Sequence, residues 1–295
     1  MPHPAMATPP FFPMHEVHAG RDIGGRDVTI TPDEVRRYEA GTGGPPSSLR
    51  LDDRTEVAPA LLFHSEVYRS LAWYLPNVIG NLHARQEWEL FAPLVIGQAV
   101  RTRSTVVERY RKRDRNYIVN EVLVTDDAGR WLQRSRTHQS FLIEDSAGQI
   151  VVDREREKRP ERRFEIGEGP GEALTPLVRP ITIAMCEAFS GPDKNYHTDR
   201  EMAQALGFPD IVVQGMLSIC FVAELMSHTF GYGWHVGGKM DLRLVNVVWV
   251  EDVISTCGKL REKVPEGAKQ RALVDVWCEK ADGTKTLVGT ASALV

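Results

Sequence analysis

The amino-acid sequence predicts an α+β protein made of two domains with the same plan. Apolar stretches at 93–100 and 247–254 begin 154 residues apart. The turns at Gly129 and Gly283 are separated by the same 154 residues. An apolar helical stretch also precedes each of two sets of alternating strands. The shared offset, kept without a gap, indicates an internal repeat.

The composition is that of an ordinary soluble globular protein, with 295 residues, 42% hydrophobic content and 26% charge. This length suits one large domain or two of about 150 residues. The net charge of -4 gives no reason to expect nucleic acid as a partner. No apolar run of about 18 residues marks a membrane span. The four cysteines lack CxxC spacing, which predicts reduced thiols in a cytoplasmic protein.

Alternating strand patterns fill the stretch that follows each apolar helix. They lie at 104–110, 116–124 and 136–143 in the first copy, and at 271–280 and 286–295 in the second. Apolar and polar residues alternate there with a period of two, which is typical of strands that bury one face. We therefore expect an antiparallel sheet in each domain.

Two helical stretches, 59–75 and 215–230, precede these strands. The second is apolar nearly all round, with only Glu224, Ser227 and His228 strongly polar, so it must be buried. Its length is roughly 24 Å. A long buried helix followed by antiparallel strands predicts a sheet wrapped around a helix, the hotdog arrangement. Because the plan occurs twice, the expected fold is a double hotdog.

The chain divides into four predicted segments: a flexible N-terminal arm at 1–20, an N-terminal hotdog domain at 21–150, a linker at 151–176 and a C-terminal hotdog domain at 177–295. The arm is rich in proline and lacks the pattern of a signal peptide. The linker is highly charged and then rich in glycine and proline. We expect the N-terminal domain to be non-catalytic, because its comparable glycine-rich turn at 38–53 contains no histidine.

The loop sequence FSGPDKNYHTD, residues 189–199, places His197 just before a predicted short helix. Such a histidine is either a base that faces a cleft or a structural or solvated residue, and its position alone leaves both interpretations open. Asp193, Asn195 and His197 lie within five residues of each other. Together they can orient one water molecule.

The start of the predicted helix at 215–230 is the second feature with chemical potential. Its first N–H groups have no partner within the helix, and they lie at the positive end of the helix dipole. They can therefore polarise a carbonyl oxygen. Gly215, which has no side chain, is expected to let a ligand approach this backbone.

Residues 189–218 resemble the signature of the MaoC-like, or hydratase 2, hotdog enzymes. The family motif reads Tyr/Phe-Ser-Gly-Asp-x-Asn-Pro-aliphatic-His, followed by an acidic helix and a His-Gly pair that begins the central helix. The strand sets of both halves fit the double-hotdog form, so the resemblance covers nearly the whole chain. It implies a hydro-lyase that hydrates a trans-2-enoyl thioester or dehydrates a (3R)-hydroxyacyl thioester.

The resemblance also implies roles for individual residues. In the family an Asp and a His share one water as general acid and base, while the helix N-terminus holds the thioester oxygen. Position by position, His197 takes the histidine role and Gly215 the oxyanion-hole role, and Ser190 and Gly191 match the Ser-Gly that opens the loop. No metal and no cofactor is implied beyond the coenzyme A or acyl carrier that forms part of the substrate.

Two alignments of the loop with the family motif remain open. Without a gap, Pro192 falls where the catalytic Asp belongs. If Pro192 is an insertion and the usual proline is deleted, Asp193, Lys194 and Asn195 form the Asp-x-Asn. The second alignment keeps two polar groups for the water, and it makes Asp193 the catalytic partner of His197.

Further substrate contacts are expected around the loop and the helix start, from Asn195, Lys194, Ser190, Gly191, Gln214, Tyr196 and Met216. Gln214 stands where the family commonly has His, and its amide can hydrogen-bond but cannot titrate. The ammonium of Lys194 suits a substrate that carries a carboxylate.

Three rival functions are weighed against the hydro-lyase. The first, within the enzyme class, is a dehydratase with an unusual substrate, for example a dicarboxylic, branched or aromatic acyl thioester, which the displaced Asp and the neighbouring Lys194 suggest. The displaced Asp also fits a catalytically weak thioester-binding or structural subunit of a larger hydratase complex. A hotdog thioesterase is disfavoured, because its water-activating carboxylate normally lies on the central helix, where Glu224 deep in the buried stretch is the only candidate. A homodimer is compatible with this plan, although one chain already pairs two domains.

Overall fold

The computed structural model describes residues 17–45, 49–71, 82–113, 115–141, 143–144, 150–151 and 164–295. Most of the predicted N-terminal arm and residues 152–163 of the predicted linker lie outside these ranges. The boundaries drawn at 20, 150 and 176 therefore stay predictions.

The elements of the N-terminal half are β1 (Asp22–Thr29), α1 (Pro32–Thr42), β2 (Arg50–Asp52), β3 (Thr55–Glu56), α2 (Glu66–Leu71), β4 (Leu82–Leu90), β5 (Ala99–Lys112), β6 (Arg115–Asp126), β7 (Trp131–Phe141), β8 (Ile143–Glu144) and β9 (Ile150–Val151). Those of the C-terminal half are β10 (Glu172–Ala173), β11 (Leu177–Pro180), α3 (Ile183–Ser190), α4 (Arg200–Ala205), α5 (Gly215–Phe230), α6 (Tyr232–Gly237), β12 (Lys239–Leu244), β13 (Val253–Glu266), β14 (Lys269–Lys280) and β15 (Lys285–Leu294).

Both halves contribute to one eleven-stranded sheet, in the order β1-β5-β6-β7-β4-β12-β15-β14-β13-β10, with β11 also paired to β13. The strand pairs in this sheet are antiparallel, and β4 with β12 joins the two halves. Across that seam the Arg85 guanidinium donates two hydrogen bonds of 2.6 Å to the Asp241 carboxylate. A bidentate pair of this kind fixes orientation as well as contact, so the seam is held by side chains as well as by the strand ladder.

The repeat inferred from the sequence is present in the backbone. Strand β13 begins and ends 154 residues after β5, and β14 does so after β6. A bulge that follows Val106 in β5 recurs after Leu260 in β13. Gly97 has φ +89°, and Glu251, the residue 154 positions later, has φ +72°. The second copy therefore keeps a left-handed turn for which the first copy uses glycine.

Helix α5 matches the predicted helix at 215–230, and ten of its sixteen residues are buried. It contacts β13, β14 and β15, and α1 and α6 also pack on it. Helices α1 and α3 pack closely as well, since a Cβ atom at Gly41 would lie only 3.0 Å from the Cα of Phe189. The central helix of the C-terminal half is therefore covered along most of its length, as its apolar surface requires, while His228 and Thr229 near its C-terminal end are exposed.

The predicted helix at 59–75 is wrong in its first half. Residues 60–65 form turns, in which Leu62 bonds to the Pro59 carbonyl and His64 to the Leu61 carbonyl, and α2 begins only at Glu66. The remainder, 72–75, lies outside the described residues. Residues 60–64 are buried in turns, so an apolar run alone did not separate helix from buried turn.

Within the predicted linker, residues 164–176 contact the C-terminal half of the sheet. Strand β10 pairs with β13. From β13, the Lys259 ammonium donates to the carbonyl oxygens of Gly167 and Gly169, and the Arg261 guanidinium donates to those of Glu168 and Pro170. These contacts tie the stretch that enters the C-terminal half to an edge of the sheet.

Candidate active site

The loop between α3 and α4 is organised by the side chain of Asn195. Its Oδ1 accepts the His197 N–H at 2.8 Å, and its Nδ2 donates to the carbonyl oxygens of Ser190 and Asp193 at 3.2 and 3.0 Å. Both ends of the amide are therefore engaged within the loop. A contact of the Asn195 side chain with substrate, as predicted, would have to replace one of these three hydrogen bonds. In this structure the Asn195 side chain fixes the backbone of His197.

The exposed side of the loop carries an ion pair. Asp199 is the N-cap of α4, where its carboxylate accepts the Met202 N–H at 3.0 Å. The Lys194 ammonium donates to the same carboxylate at 2.9 Å and, as the main cause, holds the pKa of Asp199 below its usual range. Lys194 is thus paired with the helix cap, and its predicted contact with substrate stays a prediction.

The imidazole of His197 is held in one tautomer by a backbone carbonyl. Its Nδ1 lies 2.6 Å from the carbonyl oxygen of Val212. Because a carbonyl can only accept, Nδ1 carries the hydrogen, and Nε2 keeps a lone pair that has no partner among the described residues. Burial lowers the pKa of His197 to about 4, against the small opposing effect of the Val212 carbonyl. The ring is therefore neutral at pH 7.

The strand-like segment that holds His197 leads directly into the central helix. Val212 forms a bridge with Trp249, and the Val213 N–H donates to the Val248 carbonyl at 2.9 Å. Helix α5 begins at Gly215, three residues after the carbonyl that binds His197. The loop histidine and the helix N-terminus are consequently placed by one short piece of backbone.

The N-terminus of α5 offers free backbone donors. Its N-cap, Gln214, makes no side-chain cap hydrogen bond, and its carbonyl accepts the Leu217 N–H. Among the described residues, no acceptor bonds to the N–H groups of Gly215, which is half-buried, and Met216, which is fully buried. The accessible amide, that of Gly215, lies at the positive end of a sixteen-residue helix and suits an oxygen that gains negative charge.

The reason for glycine at position 215 differs from the sequence-based expectation. A Cβ atom there would meet the Leu244 side chain at 2.5 Å. The space beside the Cα is therefore filled by β12 rather than left for a ligand. The predicted oxyanion role of Gly215 concerns its N–H group, which this packing leaves available.

Asp193 is exposed, and its carboxylate has no hydrogen-bond or ion-pair partner within the described part of the chain. No hydrogen bond joins it to His197, so their pairing stays a prediction. Among the other predicted contacts, Ser190 and Gly191 end α3, and Met216 is fully buried in the core. Tyr196 is half-buried, and its ring lies 4.0 Å from the His197 ring, centroid to centroid.

The carboxylate on the central helix is committed to an ion pair. Arg179 donates to both oxygens of Glu224, at 2.8 and 3.0 Å, and both side chains are largely buried. A carboxylate bound in this way has its lone pairs occupied by a cation. Glu224 is therefore poorly placed to activate water, in agreement with the argument against a thioesterase.

Sequence reasoning missed the Val212 carbonyl and the aromatic neighbours Phe208 and Trp249. Every residue has a backbone carbonyl, so no residue pattern could predict that the carbonyl of Val212 binds His197. Phe208 begins the segment 208–215 that leads into α5, and Trp249 lies in the segment paired with it. The sequence pattern alone did not distinguish these two aromatic residues from core residues.

Comparison with known proteins identifies the C-terminal half. Residues 164–276 match the family model described as a MaoC like domain. This part of the chain is therefore similar to the MaoC-like family. The matched range includes the His197 loop and the start of α5, so the resemblance inferred from residues 189–218 is confirmed at the level of the family. No curated protein sequence matches the chain.

Solved structures match over nearly the full length of the chain. A MaoC-like dehydratase aligns with TM-score 0.68 and 16% identity, covering 94% of this chain and 98% of its own. A MaoC-like dehydratase from Phytophthora capsici aligns with TM-score 0.67 and 16% identity, and the alignment covers 96% of this chain and 98% of that one. A Mycobacterium tuberculosis protein described as having a double hotdog fold aligns with TM-score 0.64 and 12% identity, and the alignment covers 96% of this chain and 98% of that one. At these identities the likeness shows the fold, and the predicted double hotdog is confirmed.

We expect His197 to make the protein less stable in mild acid. The pKa of His197 is about 4 in the folded protein, and the ordinary value of 6.5 applies to the unfolded chain. Between these two pH values the unfolded chain binds more protons than the folded protein. The free energy of unfolding therefore falls as the pH drops from about 6.5 to 4. His197→Gln should show a smaller loss of unfolding free energy between pH 7 and pH 5, measured by urea denaturation.

His64, His83 and His235 also have pKa values lowered to about 4 by burial, so the variant keeps part of the pH dependence. The exposed His18, changed to Gln, is the matched control and should reproduce the wild-type loss. An equal loss in His197→Gln and wild type would contradict the buried, neutral state of His197.

Proposed function

We propose that this MaoC-like protein is a hydro-lyase that reversibly adds water to a trans-2-enoyl thioester or removes it from a 3-hydroxyacyl thioester, with the acyl group on coenzyme A or a carrier protein. The observation that carries the proposal is the arrangement of His197. The free Nε2 of His197 and the unpartnered Gly215 amide at the start of α5 belong to elements that are joined through Val212. The family match supports hydratase or dehydratase chemistry in general.

In the hydration direction, His197 Nε2 takes a proton from water as the oxygen attacks C3 of the enoyl group. The electron pair of the C2=C3 bond moves towards the thioester carbonyl, whose oxygen becomes enolate-like. The Gly215 N–H at the start of α5 stabilises that oxygen by a hydrogen bond. A proton then returns to C2, which completes the addition of one water molecule and leaves the enzyme unchanged. Dehydration follows the same steps in reverse.

Asp193 is proposed as the second group that holds the water. A histidine with a pKa of about 4 is a weak base, because burial opposes its cation. A carboxylate beside the ring would favour the imidazolium that forms when His197 accepts a proton. The unpartnered carboxylate of Asp193, four residues earlier in the same loop, is available for this role.

The contacts of Lys194 argue against a substrate that carries a second carboxylate. Its ammonium already binds Asp199 at 2.9 Å. An acidic substrate would have to replace this pair, and the N-cap carboxylate would then lose its cation. We therefore propose a thioester without an additional acidic group.

Replacing His197 with Ala should reduce kcat/KM for crotonyl-CoA hydration by about 10²- to 10⁴-fold, the usual contribution of a general acid or base. Loss of absorbance of the enoyl thioester measures the rate, and circular dichroism checks that the variant is folded. Full activity in folded His197→Ala would end the proposal. Tight binding of enoyl-CoA by a wild-type protein without turnover would favour the thioester-binding subunit instead.

Asp193→Asn should lower kcat by about 10²-fold if this carboxylate shares the water, with little change in KM. Glu187→Gln removes an exposed carboxylate from the adjacent helix α3 and serves as the matched control, with kcat within about twofold of wild type. If Asp193→Asn behaves like the control while His197→Ala is inactive, His197 acts without the proposed carboxylate.

A further inference from the structure

A row of aromatic rings extends from His197 across the surface of the C-terminal half. The Tyr196 ring lies 4.0 Å from His197, the Phe208 ring 5.7 Å from Tyr196 and the Trp249 ring 6.5 Å from Phe208, measured between centroids. All three aromatic residues are half-buried, so each ring is partly accessible. We call Tyr196, Phe208 and Trp249 the aromatic row.

The aromatic row stands on the same backbone that holds the catalytic histidine. Phe208 begins the segment that ends at the helix start, and Trp249 lies opposite Val212, whose carbonyl binds His197. The Val250 N–H donates to the Ile211 carbonyl, which extends the pairing by one step. The position of the row relative to His197 is therefore fixed by hydrogen-bonded backbone.

Buried and half-buried residues alternate along the paired segments 211–213 and 248–250. This alternation distinguishes Trp249, a member of the aromatic row, from the core residues beside it. Ile211, Val213, Val248 and Val250 are at most 6% exposed and pack into the core. Trp249 lies between two of these residues and is half-buried, as expected for a side chain on the opposite face. The sequence therefore places valine and isoleucine inward and an aromatic residue on the other face of the same strand.

Tyr196, at one end of the row, interacts electrostatically with Tyr68 of the N-terminal half. Burial raises the pKa of the Tyr68 phenol, with a smaller contribution from the neighbouring Tyr196 phenol. Tyr68 lies in α2, and its hydroxyl is 3.5 Å from Nδ1 of His83 in β4. The row begins at Tyr196 and continues through Phe208 to Trp249.

We infer that the aromatic row is the wall against which the acyl group lies, and that it selects enoyl thioesters whose chain ends in an aromatic or other flat ring. This inference rests on the proposed hydro-lyase function. Ring faces stack on each other more favourably than on a flexible alkyl chain of similar area. Such a wall, contiguous with His197, favours a ring while leaving the water addition at C3 unchanged.

Two substrates of similar reach test the selection: 5-phenylpent-2-enoyl-CoA, which ends in a ring, and oct-2-enoyl-CoA, which does not. The wild-type protein should show a KM about 3- to 10-fold lower for the phenyl substrate, the range expected from one stacking contact. Phe208→Leu and Trp249→Leu should remove this preference by raising KM for the phenyl substrate, with kcat nearly unchanged. Phe208→Tyr keeps the ring and should retain the preference.

Trp131→Leu is the matched control, because Trp131 is 47% exposed and packs on Phe91 in the N-terminal half, 5.7 Å between ring centroids. It should leave both KM values unchanged. Equal KM values for the two substrates in the wild type, or Leu variants that raise both KM values alike, would overturn the inference while leaving the hydro-lyase intact. Absence of hydration with these substrates and with crotonyl-CoA would instead overturn the proposed function, and the inference with it.

Discussion

Helix α5 is apolar on nearly every face, and this property dictates what surrounds it. A helix of this kind must be covered on all sides. Strands β13 to β15 and the helices α1 and α6 provide the cover. With most of the side chains enclosed, the backbone at the N-terminus is the part of the helix that can still bind another group. The His197 loop lies against the segment that leads to this end, so the requirement for burial also determines where chemistry can occur.

Most of the fold could be predicted from the sequence because a repeat imposes the same hydrophobic pattern twice. The 154-residue offset reappears in the bounds of four strands and in the bulges after Val106 and Leu260. The exception, the supposed helix at 59–75, shows the limit of the method. Pro59 and the following apolar residues form buried turns, and burial without a clear period does not identify the element.

The site could be predicted from the sequence only where it depends on the identity of side chains. His197 stood out because of its neighbours Asp193 and Asn195, and the loop resembled a known motif. The hydrogen bond that gives His197 its tautomer comes from the Val212 backbone, which no residue type encodes. The packing of Leu244 on Gly215 was equally hidden, because it joins residues that the fold brings together from separate elements.

Water addition by His197 requires a neutral imidazole with its hydrogen on Nδ1, so that Nε2 can accept a proton. Nitrogen-15 NMR of protein labelled in histidine, with His197→Gln used to assign the signal, measures this directly. We predict the Nδ1–H tautomer at pH 7 and conversion to the imidazolium only as the pH approaches about 4. An Nε2–H tautomer, or an imidazolium at pH 7, would contradict the central claim.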